Sequence, residues 1–201
     1  MFEESLKDTN FYRYYSEKAG LEDSDFDVLA SHIEFRTLEH NQYILRAGEV
    51  CRHFLFVDEG LLQFVSLDEK GDEHILQFAP ENWLVSDRSS MFFDEPSLYY
   101  IKAIEPSRVV FLDPEFFSEA SRLRFEFSCF TETSLHRSIY FLQRRIQSLL
   151  GMSAKQRYLE FMELYPELLL RVPQWMIAAY LGVTPESLSR VRREIAKGGS
   201  F

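Results

Sequence analysis

Near the C-terminus the sequence runs Gln174-Trp-Met-Ile-Ala-Ala-Tyr-Leu-Gly-Val-Thr-Pro-Glu-Ser-Leu-Ser-Arg-Val-Arg-Arg193, following Pro173, which blocks helix continuation from upstream. Two helices joined by a tight turn need a small residue where their backbones approach, a glycine in the turn and apolar residues facing inward. Ala178 supplies the first and Gly182 the second, while Ile177, Leu181, Val183, Leu188 and Val191 supply the third. Thr184 is placed to cap the second helix, with Pro185 at its first position and Glu186 and Ser187 in its first turn. With Leu188 and Val191 inward, Glu186, Ser187, Arg190 and Arg193 turn outward on one face. Arginine can bind guanine O6 and N7 with two hydrogen bonds, glutamate can accept from cytosine N4, and hydroxyls at a helix N-terminus suit phosphate. The expected division places Arg190 and Glu186 at base edges and Thr184, Ser187, Ser189 and Arg193 on the sugar–phosphate backbone. The competing reading is an ordinary helical hairpin with a solvated charged face. Agreement at the small residue, the turn, the cap and the inward positions together favours the first.

Other chemistries lack their residues. His32, His40, His53, His74 and His136 show none of the paired spacing that a facial-triad or octahedral metal site needs, so no metal is expected. Cys51 and Cys129 are far apart and too few for a zinc ribbon, an iron–sulfur cluster or a disulfide framework, and both read as small buried hydrophobes. No nucleophile elbow, Walker loop or dinucleotide fingerprint occurs. We expect no catalytic residues and a protein that is not an enzyme.

The whole-chain charge argues against a phosphate-binding surface: 22 Lys and Arg against 32 Asp and Glu leave −10 at pH 7. The charge is unevenly spread. From Gly151 onward seven basic residues face five acidic ones, a net of two positive, so the first 150 residues carry twelve negative. A nucleic acid would therefore meet the tail of an otherwise acidic protein.

The elements that must position the tail are legible upstream. A chain of 201 residues with 46% hydrophobic and 15% aromatic residues can build a sizeable core, and with 8 Gly and 7 Pro it is no linker or disordered tract. No window approaches the length of a membrane span and no basic region precedes an apolar run at the N-terminus, so a cytoplasmic protein without a membrane partner is expected. Up to Phe35 the apolar residues keep helical spacing, with Asp23 and Ser24 as caps. From Phe35 to Asp113 the period becomes two and turn signals recur every ten or so residues, which means many short strands in a sandwich or barrel. The cleanest hairpin joins Leu61–Leu67 to Glu73–Phe78 through a loop in which Gly71 can take the left-handed conformation. Asp113 and Pro114 then cap and start a helix.

Between Arg122 and Leu150, Leu135, Ile139, Leu142, Ile146 and Leu149 recur at steps of four and three, the seam of a helix pair. That seam reads as a dimer helix, or as a helix packed on its own domain. The expected domains are residues 1–121, the N-terminal helices with the strand block; residues 122–150, the central helix; and residues 151–201, the helix-turn-helix.

This order resembles the Crp/Fnr regulators, the cyclic AMP receptor protein family, over nearly the whole chain. The residues carrying the resemblance are Leu45-Arg-Ala-Gly48-Glu, Phe54-Leu-Phe-Val-Asp-Glu-Gly60-Leu, Gly71-Asp-Glu-His-Ile-Leu-Gln-Phe and Ala178-Ala-Tyr-Leu-Gly182-Val-Thr-Pro-Glu-Ser-Leu-Ser-Arg190. The short form of the family found in Bacteroidetes-like bacteria is most similar. The resemblance implies an α+β protein with an N-terminal β-roll (jelly roll) of the cyclic-nucleotide-binding type, a long dimerisation helix and a C-terminal helix-turn-helix. Double-stranded DNA and a second copy of the chain are the implied partners, with RNA polymerase a further candidate. The chain departs from the family where the cyclic phosphate would sit. The family's Gly-Glu and Arg-Ser pairs fall on Ser86-Asp87 and Ser97-Leu98, so the phosphate-neutralising arginine is missing. Arg88 and Lys102 are the nearby cations that could replace it, though neither matches the motif. Trp83, Ser86, Asp87, Ser97, Leu98 and Tyr99 remain as candidate effector-pocket residues. The aromatic and apolar residues crowding this region, with Phe92, Phe93 and Tyr100 among them, either line a pocket for an apolar effector or fill a core. No cyclic nucleotide and no cofactor is expected, and no effector is identified. The family's iron–sulfur and haem branches lack their ligands here, and wing strands beyond Lys197 are not expected. The expected function is that of a dimeric DNA-binding transcription regulator. The alternative is an effector-sensing or partner-binding β-roll without productive DNA binding.

Overall fold

The computed structural model describes residues 5–198. Two compact units form: one comprises the residues up to Ser66 with Gln77–His136, the other Leu67–Leu76 with the residues from Arg137 onward. No helix among the described residues is long and apolar enough to cross a membrane.

The first unit starts with α1 (Asn10–Ala19) and α2 (Asp23–Leu29). The Thr9 hydroxyl accepts from the Tyr12 amide at 3.1 Å, and Gly20 at φ 73° ends α1 in the left-handed region. Glu22 and Asp25 form a reciprocal capping box at the start of α2. Eight strands follow: β1 (Ile33–Leu38), β2 (Tyr43–Leu45), β3 (Phe54–Glu59), β4 (Leu62–Leu67), β5 (Glu73–Ala79), β6 (Leu84–Val85), β7 (Tyr100–Ala103) and β8 (Ser107–Leu112), with α3 (Arg88–Phe93) between β6 and β7. They make two four-stranded sheets in the orders β1-β8-β3-β6 and β2-β7-β4-β5. The expected β-roll and its hairpin over β4 and β5 are present, with Gly71 at φ 85° in the connecting loop. Gly60 turns β3 into β4 at φ 96°, and a Cβ there would lie 2.3 Å from Ser107 Oγ, so no larger residue fits.

Strand β3 is apolar from Phe54 to Val57 because both faces of this stretch are covered. Leu55 and Val57 join Val109 and Phe111 of β8, Leu62 of β4 and Ile101 of β7 in a core between the sheets. Phe54 and Phe56 join Val110 and Leu112 in a second core, built with Phe11, Tyr15, Phe26 and Leu29 of the N-terminal helices. Phe116 of α4 (Pro114–Leu123) and Phe127 of α5 (Phe125–Gly151) complete this aromatic layer. Phe11, Phe26, Phe54, Phe56, Phe116 and Phe127 thus belong to one aromatic layer between the helices and the outer face of this sheet.

The expected cap at Asp113 is observed, its carboxylate accepting from the Phe116 amide at 3.1 Å while His32 Nδ1 lies 2.9 Å away. Helix α5 begins at Phe125, not at Arg122. The chain is extended at Arg124, whose guanidinium reaches Asp25 at 2.8 Å and Glu22 at 2.9 Å. Helix α5 runs from the first unit into the second, the division falling between His136 and Arg137.

The second unit adds α6 (Ala154–Leu164), α7 (Leu168–Arg171), α8 (Gln174–Leu181) and α9 (Pro185–Gly198). Ser153 and Gln156 form a capping box that starts α6. Its core contains an aromatic cluster: Phe161, Tyr165 and Tyr180 stand with ring centroids 5.4 to 5.7 Å apart.

Candidate nucleic-acid interface

Helices α8 and α9 form the anticipated helix-turn-helix. Gly182 takes φ 63°, and its neighbour Val183 donates to the Ala178 carbonyl at 3.0 Å, closing the turn. Ile177, Ala178, Leu181, Leu188 and Val191 are buried, and Val183 is half-buried. The Thr184 carbonyl accepts from Leu188 at 3.0 Å and its hydroxyl from the Ser187 amide at 3.3 Å, so Thr184 caps α9 ahead of Pro185.

The expected outward face departs from its spacing at Ser187. Glu186, Ser189, Arg190 and Arg193 are exposed, and Ser187 is half-buried. Arg193 Nε lies 3.3 Å from the Ser189 carbonyl. Among the described residues no carboxylate pairs with Arg190, Arg192 or Arg193. Glu186 behaves differently. Its own backbone N–H and the Thr184 hydroxyl hold its carboxyl below the ordinary range, which ties it to the start of α9. The Thr184 hydroxyl also lies 3.2 Å from Ser187 Oγ.

The helix that would pair two copies leaves its seam bare. Leu135, Ile139, Leu142, Ile146 and Leu149 are between 43% and 64% exposed, an apolar row only partly covered by the described residues. Within the second unit, Arg145 of α5 stacks 3.8 Å over the Tyr180 ring and donates to the Tyr180 carbonyl, while Arg144 pairs with Glu160 of α6. Burial presses the Arg145 guanidinium below its ordinary value. These contacts had no local signature in the sequence, since Arg145 and Tyr180 are 35 positions apart.

The segment from β6 to β7 holds the candidate pocket residues. Asp87 is buried and uses both carboxylate oxygens: Oδ1 accepts from the Ser90 amide at 3.2 Å and the Ser89 hydroxyl at 2.8 Å, and Oδ2 from the Ser97 hydroxyl at 2.7 Å. Ser97 is tied further, its amide to Glu49 and its carbonyl to Gly48, each at 2.8 Å. Ser86 and Trp83 are half-buried, Tyr99 packs against Phe64 with ring centroids 4.8 Å apart, and Leu98 is 77% exposed. Phe92 and Phe93 are also largely exposed, whereas Trp83 packs against the core between the sheets. Of the cations nearby, Lys102 is buried with its ammonium 5.5 Å from the Tyr43 ring, and Arg88 points to a cavity on the other side of α3. The residues do not fit a cyclic phosphate, because a buried carboxylate with satisfied oxygens stands where a cationic cradle is needed.

Cys51 is buried as expected, but Cys129 is exposed on α5. Among the described residues no group of histidines, cysteines and acids could hold a metal ion. The expectation about wing strands concerns residues after Gly198, outside those described.

Residues 35–122 match the cyclic nucleotide-binding domain. No curated protein matches the sequence. Among solved structures, FixK2 from Bradyrhizobium japonicum has a TM-score of 0.71 at 15% identity, covering 83% of this chain and 86% of that one. A CooA variant from Carboxydothermus hydrogenoformans has a TM-score of 0.67 at 19% identity, covering 86% and 80%. The catabolite activator protein of Thermus thermophilus gives 0.53 at 18% identity, covering 90% and 86%. At such identities the likeness establishes the fold.

Proposed function

We propose that this chain, which carries a cyclic nucleotide-binding domain and has the fold of the Crp/Fnr regulators, is a DNA-binding transcription regulator acting as a homodimer. The observation that carries the reading is the exposed face of α9, where Arg190 and Arg193 project without a carboxylate partner from a capped helix held by the Gly182 turn. Arginine in this setting reads guanine edges or phosphate. Pairing two copies along the apolar row of α5 would double the patch. Two reading helices about 34 Å apart would then fit a pseudo-palindromic site.

In this reading Arg190 contacts bases, and Thr184, Ser187, Ser189 and Arg193 hold the sugar–phosphate backbone. Glu186 reaches a base only by giving up its contacts at the start of α9. The protein works without a cyclic nucleotide, since Asp87 and Ser97 satisfy each other. It is not an enzyme, and it acts in the cytoplasm, where its DNA is. Effector state in the β-roll, where an effector exists, would act through α5 on the reading heads, which requires different affinity for two states.

The formal charge of −10 favours one second reading, a β-roll that binds an effector or partner without productive DNA binding. Titration of duplex DNA at increasing salt separates the two. Arg190→Ala should cost about 1–3 kcal/mol and relax preference at one position per half-site, whereas Arg193→Ala should weaken all sequences alike and lower the salt slope by about one. Equal effects of both substitutions on every sequence would contradict the division of roles.

A further inference from the structure

The sheet that carries β3 has a cavity on its outer face, away from the place where the family match would put a nucleotide. It measures about 350 Å³ and lies within the first unit, beneath α1, α3, α4 and the first turns of α5. That is the small end of the range of ligand sites. Its walls are aromatic: Tyr15, Phe54, Phe56, Phe117 and Phe130 line it. Phe92 and Ser118 are exposed and mark where it meets solvent.

The lining has one charge. Arg88, the first residue of α3 and itself exposed, lines the cavity with its guanidinium 5.2 Å from the Phe54 ring centroid. Among the described residues no carboxylate lines the cavity and none pairs with Arg88. The hydroxyls of Ser118 and Thr131 already donate, to the Glu115 carbonyl at 3.0 Å and the Phe127 carbonyl at 2.9 Å. Among the described residues Arg88 is therefore the one cation an anion would meet here, beside the neutral polar groups of Tyr14, Tyr15, Asn82 and Ser134. Asp87 and Arg88 thus divide the two sides of α3, the acid closing the nucleotide side and the base serving the other.

We infer that this cavity is a binding site for a small carboxylate with an apolar body, of medium-chain acyl or single-ring aryl size, held by Arg88. A cavity without charge would favour a neutral apolar molecule, and the unpaired guanidinium is what selects the acid. A ligand here touches Phe130 and Thr131 and so bears on the start of α5. The inference does not depend on DNA binding, and its test uses none.

The test is calorimetric titration of the full chain with octanoate and, separately, octan-1-ol, for wild type, Arg88→Gln and Ser118→Trp. Wild type should bind one octanoate per chain saturably, at least tenfold more tightly than octan-1-ol. In Arg88→Gln octanoate should weaken by about tenfold or more while octan-1-ol is unchanged, the loss of one charge-assisted contact. In Ser118→Trp, which fills the mouth, both should weaken. No saturable octanoate binding below the millimolar range, equal affinity for the alcohol in wild type, or an Arg88→Gln variant that binds octanoate as wild type does would each overturn the inference. Unchanged far-ultraviolet circular dichroism of the variants separates loss of the site from loss of the fold.

Discussion

Ser97 Oγ donates to Asp87 Oδ2 at 2.7 Å, and the two residues stand at the positions where the family resemblance places the nucleotide-binding pairs. A carboxylate that also caps α3 through the Ser90 amide is a structural group, and it closes the place it occupies.

Replacing Asp87 by alanine uncaps α3 and leaves the buried Ser97 hydroxyl without its acceptor, so stability should fall by about 1–3 kcal/mol. Chemical denaturation of wild type and Asp87→Ala measures it. A difference within error would mean the cap and the buried hydrogen bond are dispensable.

Cyclic AMP should not bind. Its phosphate would meet a satisfied buried carboxylate, and Arg88 lines a different cavity. Calorimetric titration to millimolar cyclic AMP should give only heats of dilution, and a saturable isotherm would reinstate a nucleotide site.

Ile146 is 56% exposed in the middle of the apolar row. If that row is the dimer seam, Ile146→Glu removes about 1.5–3 kcal/mol of burial from each copy and weakens association at least tenfold. Sedimentation equilibrium should show a dimer for wild type and a shift toward monomer for the variant. A monomeric wild type at micromolar concentration would remove the helix pair from the account.

Gly182 sits at φ 63° with ordinary space around it, so the cost of a side chain there is conformational. Gly182→Ala should destabilise the second unit by about 1–2 kcal/mol. Thermal unfolding checks this, and an unchanged transition would contradict a left-handed turn.

The helix-turn-helix was legible because its requirements are local: Gly182 for the turn, Thr184 and Pro185 for the cap, and Leu188 and Val191 one turn apart. The β4–β5 hairpin was legible for the same reason, through Gly71. Strand β3 showed no clean alternation because Phe54 and Leu55 face two different cores. The start of α5 at Phe125 has no local signature, since the extended Arg124 before it pairs with Asp25, 99 residues away. The cavity beside Arg88 is assembled from strands and helices far apart in the chain, and nothing in a neighbouring stretch of sequence marks it. Glu186 carried a signal for a base contact, yet the amide beside it competes for the same carboxylate.

The central claim is that α9 reads DNA without a cyclic nucleotide. The most direct test is selection of random duplex DNA by the purified protein with no effector added, beside the Arg190→Ala variant. The account predicts enrichment of a two-fold symmetric site by wild type, weakened or altered at one position per half-site in the variant. Enrichment that is identical in the two proteins, or none above background from wild type, would contradict it.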